Sequence, residues 1–552
     1  MATVVNFHGK KCIEPGSYAA IMYNPTSVVN VSEFGNVMII DANGLALNNI
    51  DNTLRTEYAG GSGINGTLAK GMKSVYAFET YEDFVSFMGG GLVCDIAQKI
   101  FTPRDGVNGT PKLFYVRAAT TTPATINLKI SDGAEASDPA NALILTCKNE
   151  GKCGNGVDDS SHVLKVGYAA RLVNGSVTSQ YVLEILRGTY MGTDAYGEPF
   201  GSYSFADAKP EVIAQSPDCD TLGEIYNWAA NSRDVLNHFK VEMTGEESES
   251  LEAEISQILA SGGVTTYGNT ADLNKVFECI SEMDISFFLC TNLNADSAAG
   301  LSDINKALYT YIKTNAKFDE IMVIPGGEED TDLLGDSNTS QSIAKYFDDE
   351  KVWVVHGGPI VPRKDGNGDK QLNAIYNAAM VVGLNAGMAP QTPLTFKRSG
   401  YQSYAYDLTK KERENALQAG IIHMRNVNGY YCINQGVTTI QNNKQTYAPD
   451  GQSMECSIAL IKAQLNKELI YEGQVRFTGL TAAQADPESV KTFTDTKLST
   501  FIATALEDNL ILGYRNIKVS VKNSDYTITY DFIPNVPVNK TFFVGNVLDF
   551  TL

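Results

Sequence analysis

Apolar and polar residues alternate most regularly in the last forty positions of the chain. Ile517, Val519 and Val521 alternate with Lys518, Ser520 and Lys522, and after the turn Asn523-Ser524-Asp525, Tyr526, Ile528, Tyr530 and Phe532 alternate with Thr527, Thr529 and Asp531. A period of two on both sides of a polar turn predicts a β-hairpin. Pro534 and Pro537 follow and forbid helix. The chain then resumes as a strand-like run, Thr541 to Leu552, with Phe542, Val544, Leu548 and Phe550 on one face. At about 3.3 Å per residue, such a run reaches roughly 40 Å when extended. A terminal apolar strand of this kind either folds back onto its own sheet or adds to the sheet of a neighbour, which makes a polymer. Residues 1–25 predict a leading arm as well, with Val4, Val5 and Phe7 ahead of Pro15-Gly16.

A different period governs the middle of the chain. Thr270 is placed to cap a helix with Leu273, Val276, Phe277 and Ile280 on one face, followed by a strand from Ile285 to Cys290. A helix near Leu301 to Thr314, a strand Ile321 to Ile324, a helix near Ser337 to Phe347 and a strand Val352 to Val355 come next. Strands and helices that alternate with short connections predict a parallel α/β sheet. From about 121 to 249 the texture changes to Thr, Gly, Asn and Asp around short alternating runs such as Leu143 to Cys147 and Tyr181 to Leu186, which predicts a β-rich insertion. The acidic run Glu246-Glu247-Ser248-Glu249 marks its expected edge.

Towards the C-terminus, Thr409-Lys410-Lys411-Glu412 matches a capping box and Gly420 a helix stop. Strand-like Gly429 to Ile440 follows. Met454, Ile458, Ile461, Leu465 and Leu469 share one helical face up to Gly473, and Asp486-Pro487 opens a further helix with Leu498, Phe501, Ile502 and Ala505 inward. The fold class expected is therefore multidomain α/β and α+β. It comprises an N-terminal arm (1–25), a parallel α/β middle domain in two parts (26–120 and 250–385), a protruding insertion (121–249), a separate α+β C-terminal core (386–533) and a C-terminal arm (534–552).

Composition narrows the function classes. The 552 residues exceed one hydrophobic core. No run approaches the roughly 18 apolar residues of a membrane span, and the first residues lack the pattern of a secretory signal, so no membrane insertion is expected. Nine cysteines are scattered over the length and read as buried thiols. The net charge of −21 argues against nucleic-acid binding. That charge is uneven: residues 245–350 hold 21 Asp and Glu against 5 Lys, whereas residues 351–480 hold 14 Lys and Arg against 9 Asp and Glu. By itself such an acidic segment reads as a solvated face; the sharper reading is that an acidic outside and a basic C-terminal region face different partners.

Signatures of chemistry are weak. Gly61-Ser62-Gly63-Ile64-Asn65-Gly66 fits G-x-G-x-x-G without a convincing strand before it. Asp365 to Asp369 imitates the start of a calcium loop, but Lys370 and Tyr376 stand where Gly and Glu are required. Cys147, Cys153 and His162 lack zinc spacing and a fourth ligand. No cofactor or metal is expected, and the chain is not expected to be an enzyme.

Several segments, taken in order, resemble contractile tail sheath proteins of phages and the related sheaths of type VI secretion systems and contractile bacteriocins. Glu14-Pro15-Gly16-Ser17-Tyr18 looks like their Pro-Gly-x-Tyr opening, and Leu113-Phe114-Tyr115-Val116-Arg117 like the strand before their insertion. Residues 145–155 are similar to an "Ala-x-x-x-Gly-x-x-Gly-Asn" segment, with Cys153 in place of an aromatic residue. Asn377 to Ala389 with Gln391-Thr392-Pro393, and then Thr409 to Gly436, resemble the opening of the family's C-terminal core.

The resemblance implies a structural subunit that polymerises as a six-fold helical cylinder around an inner tube. On a baseplate trigger the cylinder contracts and drives the tube through a host envelope during genome delivery. The implied partners are copies of the chain itself, the inner tail tube protein, and baseplate and tail terminator proteins. The implied place is the virion tail, assembled in the host bacterial cytoplasm. Val4, Val5, Phe7, Phe542, Val544, Leu548 and Phe550 are then the inter-subunit arm contacts, and Ile517, Val519, Val521, Ile528, Tyr530 and Phe532 the sheet that accepts arms. Lys462 and Lys467, on the polar side of their helix, are candidates to face the tube.

A sheath of a bacterial injection system remains an alternative. From other classes, a metal-dependent hydrolase built on Glu328, Glu329, Asp330 and His356 with Gly357-Gly358, or a receptor-binding or surface-layer protein, would share parts of the pattern.

Overall fold

A computed structural model describes residues 5–7, 10–12, 34–41, 75–88, 92–117, 119–131, 141–150, 154–158, 164–177, 179–188, 210–267, 283–290, 303–314, 320–362, 369–440, 455–477, 486–502, 509–522 and 525–535, with the single positions 274, 277 and 280. Its centre is a seven-stranded sheet in the order Ile421–Ile422, Val352–Val355, Ile321–Pro325, Phe287–Cys290, Val37–Asp41, Leu113–Arg117, Tyr76–Phe78. All neighbours run parallel except the last pair, which is antiparallel. The expected strand Val352 to Val355 is present with those bounds.

The central strands are continuous apolar runs because both faces are covered. Val37, Ile39, Phe287, Leu289, Val323 and Trp353 face one core, and Met38, Ile40, Phe288, Met322, Ile324 and Val354 face the other. Helix Ala374–Ala386 packs on the first face together with Leu92–Phe101. Every residue of Ala374–Ala386 is buried. A Cβ at Gly383 would sit 2.3 Å from the Lys99 carbonyl oxygen, so the two helices touch backbone to backbone there. Asp303–Thr314 and Ser340–Phe347 cover the second face, with Phe277 and Ile280. Thr270, Leu273 and Val276 lie outside the described residues.

The insertion is a sandwich of two four-stranded antiparallel sheets. One has the order Glu211–Gln215, Tyr181–Arg187, Tyr168–Asn174, Ile255–Leu259, and the other Phe239–Thr244, Asn141–Glu150, Ala119–Ser131, Val264–Tyr267. Ile126, Leu128, Leu143 and Leu145 meet Ala170, Leu172, Leu183 and Ile185 between them. The edge expected at residue 249 therefore moves: Ile255–Leu259 and Val264–Tyr267 are strands of these sheets, and the pairing runs to Tyr267. The acidic run that marked the edge is an internal connection. Glu246 N–H donates to Asn141 Oδ1 at 2.8 Å, and the carbonyls of Glu247 and Glu249 accept from Gly223 and Leu222. Asn155, in the Gly-Asn segment, ties the base together, since its amide gives to the Gly263 carbonyl and its oxygen takes the Gly263 N–H.

The C-terminal core is not separate from the middle domain. Thr409 and Glu412 form the expected capping box on helix Lys410–Gln418, and Gly420 takes φ +75° after it. That left-handed turn delivers Ile421–Ile422 straight to the edge of the central sheet, beside Val354 and Val355. Ile433, Val437, Cys456, Ala459 and Leu460 join the same core as the sheet. The helix expected to end at Gly473 runs on as Cys456–Phe477 and is buried on two sides, with Ile461 and Leu465 in a second cluster. Helix Pro487–Thr500 is capped by the Asp486 side chain; Leu498 and Phe501 point inward as expected, but Ile502 is 37% exposed.

Candidate assembly interface

Two long strands, Ile511–Lys522 and Asp525–Pro534, form the predicted terminal hairpin. Val519 stands opposite Ile528, Val521 opposite Tyr526 and Tyr514 opposite Phe532. A bulge between Arg515 and Lys518, with Asn516 at φ +58°, shifts the register, so the ladder begins six residues before the predicted Ile517. The base of the ribbon is anchored: Tyr514, Ile517, Tyr530 and Phe532 pack on Ile461, Leu465, Leu498, Phe501 and Ile511. Tyr514 OH donates to Asp495 Oδ1 at 3.0 Å.

Towards its tip the same face leaves the core. Val519 is half-buried, and Val521 and Ile528 are 41% and 38% exposed. Leu512 and Ile533, which sequence reasoning missed because the ladder was started too late, are exposed at the base. The hairpin is a two-stranded sheet, and among the described residues neither outer edge pairs with a further strand. Unpaired N–H and C=O groups beside exposed β-branched side chains are the elements of a strand-accepting edge.

Val5 and Phe7 of the leading arm lie in a small ribbon, opposite Cys12 and Lys10. Val4 and the trailing-arm residues Phe542, Val544, Leu548 and Phe550 lie outside the described residues, as do Gly61 to Gly66, Cys153 and His162.

The two candidate tube-facing lysines are placed otherwise than expected. Lys467 is 4% exposed and paired with Asp284, and Lys462 Nζ is 2.5 Å from Glu350 Oε2. Both carboxylates lie next to the ends of central-sheet strands, so these lysines clamp their helix to the sheet rather than forming an open basic stripe. The periodicity put them on the polar face of an amphipathic helix, but that face is itself covered.

Glu328, Glu329, Asp330 and His356 do sit after strands of the central sheet. Glu328 accepts from the Asn373 amide, however, and His356 is fully buried with Nδ1 2.7 Å from Ser340 Oγ. Among the described residues no three His, Cys, Asp or Glu side chains converge as metal ligands.

No family model matches the sequence. The tail sheath protein of Bacillus phage SP01 aligns at 22% identity over 620 positions, spanning 99% of this chain and 98% of that protein. The chain resembles the tail sheath proteins over its whole length. Solved structures agree in fold. The sheath tail protein of Desulfitobacterium hafniense superposes with a TM-score of 0.54 at 13% identity, covering 94% of this chain and all of that one. The sheath tail protein of Listeria innocua gives 0.50 at 13% identity, covering 91% and 96%. At those coverages the likeness in fold extends over most of the chain.

Proposed function

We propose that this chain is the structural subunit of a contractile tail sheath, which polymerises as a helical cylinder around an inner tube and shortens to drive that tube through a host envelope. The observation that carries this reading is the anchored hairpin, whose two edges pair with no further strand among the described residues and whose Val521 and Ile528 are exposed, in a chain that aligns over 99% of its length with a tail sheath protein. In the proposed lattice the trailing arm of one copy, through Phe542, Val544, Leu548 and Phe550, adds to the hairpin of the next, and the leading arm with Val4, Val5 and Phe7 joins from a third. Main-chain ladders of this kind keep copies connected while their bodies rotate. Contraction then needs no fuel at the moment of firing, because two lattice packings that differ in contact energy store it at assembly.

The proposed partners are further copies, the tube protein, a baseplate and a terminator, in a virion tail assembled in the bacterial cytoplasm. The phage origin of the sequence relative favours a phage over a bacterial injection system. Electron microscopy of the purified chain tests the class. Hollow helical cylinders are expected; flat layers, or discrete particles with metal-dependent turnover, would replace the reading.

A further inference from the structure

One surface of the C-terminal core is built unlike the rest of this acidic chain. Strands Met424–Val427 and Tyr430–Ile433 form a tight ribbon closed by Asn428 and Gly429, both at positive φ, and residues 396–399 pair along its outer side through Phe396 N–H to the Ile433 carbonyl and Ser399 N–H to the Tyr431 carbonyl. Alternation puts Arg425, Tyr430, Cys432 and Arg398 on one face. The Arg398 guanidinium lies 4.0 Å from the centre of the Tyr430 ring, and that of Arg425 lies 5.6 Å from Phe396. Tyr430 and Phe396 are 55% and 52% exposed.

Two observations separate this patch from a merely solvated face. Phe396 holds φ +58°, a conformation that is costly for a bulky aromatic residue, and it does so while exposed. Moreover, three arginines gather without a carboxylate. Burial raises the Cys432 thiol, and the charges of Arg398, Arg104 and Arg425 act together against that rise. Among the described residues none of the three forms an ion pair, and Arg104 Nε is buried with no hydrogen-bond partner. Asp407, which hydrogen-bonds Tyr431, lies on the opposite face. Guanidinium forks preset on aromatic rings are suited to carboxylates, which they bind through paired hydrogen bonds.

We propose that this arginine–aromatic face docks on the acidic surface of a second copy of the chain. Charge complementarity supplies the partner: residues 245–350 carry 21 Asp and Glu against 5 Lys, and Glu329 and Asp330 among them are exposed. The inference rests on the polymer reading and adds to strand exchange a second contact that is sensitive to salt. Strand ladders respond weakly to ionic strength, whereas solvent-accessible Arg–carboxylate contacts at a rim respond strongly.

Sedimentation of the full chain between about 0.05 and 0.5 M salt tests it, comparing wild type with Arg398→Gln/Arg425→Gln. The double variant is expected to need at least about tenfold more protein to polymerise at low salt, and to lose most of the salt dependence. Unchanged polymerisation overturns the proposal while leaving the sheath reading intact. Normal self-assembly with lost capture of tube protein assigns the face to the tube and overturns it equally. A wild type that never polymerises removes both. If the double variant melts early, Arg398→Lys decides, since it keeps the charge and loses the fork; unchanged polymerisation by that variant also counts against the proposal.

Discussion

His356 and His423 are buried where the central sheet meets the C-terminal core, the first bonded to Ser340 Oγ and the second set between the Ile421 carbonyl and the Asn434 amide. Desolvation, and for His356 the nearby His423, lowers His356 to about 3; desolvation lowers His423 to about 4. Both folded values lie below the unfolded value of about 6.5, so the unfolded chain binds the extra protons. Their contribution is complete above pH 6.5 and is lost as pH falls from there, towards about 4 for His423 and about 3 for His356. At pH 5 the loss is up to about 2 kcal/mol for each ring. The urea midpoint is expected to fall between pH 7.5 and 5, and His423→Gln to show a smaller fall than wild type; an identical fall would contradict this account.

Among whole elements, contact between helices Ala374–Ala386 and Leu92–Phe101 depends on the missing side chain at Gly383. Gly383→Ala improves helix propensity by about 1 kcal/mol, yet its Cβ meets the Lys99 carbonyl, and overpacking costs about 1–3 kcal/mol. A lowered thermal midpoint is expected, and a raised one would show that the helices part without cost. The hairpin behaves oppositely. Val521→Asp and Ile528→Asp alter exposed positions, so folding stability should change by no more than about 0.5 kcal/mol while cylinder formation is lost. The reverse pattern, normal cylinders from a destabilised chain, would place those residues in the subunit's own core.

These elements show what the sequence carried. The strand Val352–Val355, the capping box at Thr409 and the terminal hairpin were legible because period, cap chemistry and turn residues are local. The insertion's last two strands were not, since Ile255–Leu259 and Val264–Tyr267 acquire meaning only from partners some 90 and 140 residues away. Nor did local pattern show that Ile421–Ile422 would close the central sheet, or that Lys462 and Lys467 would meet Glu350 and Asp284. Charge on a helix face reads as solvent exposure unless the covering carboxylates are known.

At the scale of the whole molecule, two cores flank one mostly parallel sheet, a β-sandwich has a core of its own, and the chain's last described element is a ribbon whose edges pair with no further strand among the described residues. A strand that completes a neighbour's ribbon contributes little to its own subunit, so removing it should separate folding from assembly. Deleting residues 541–552 and imaging the purified product by electron microscopy is the most direct measurement. The account predicts a folded chain with wild-type thermal stability that forms no cylinders; cylinders of normal diameter and length from that truncated chain would contradict it.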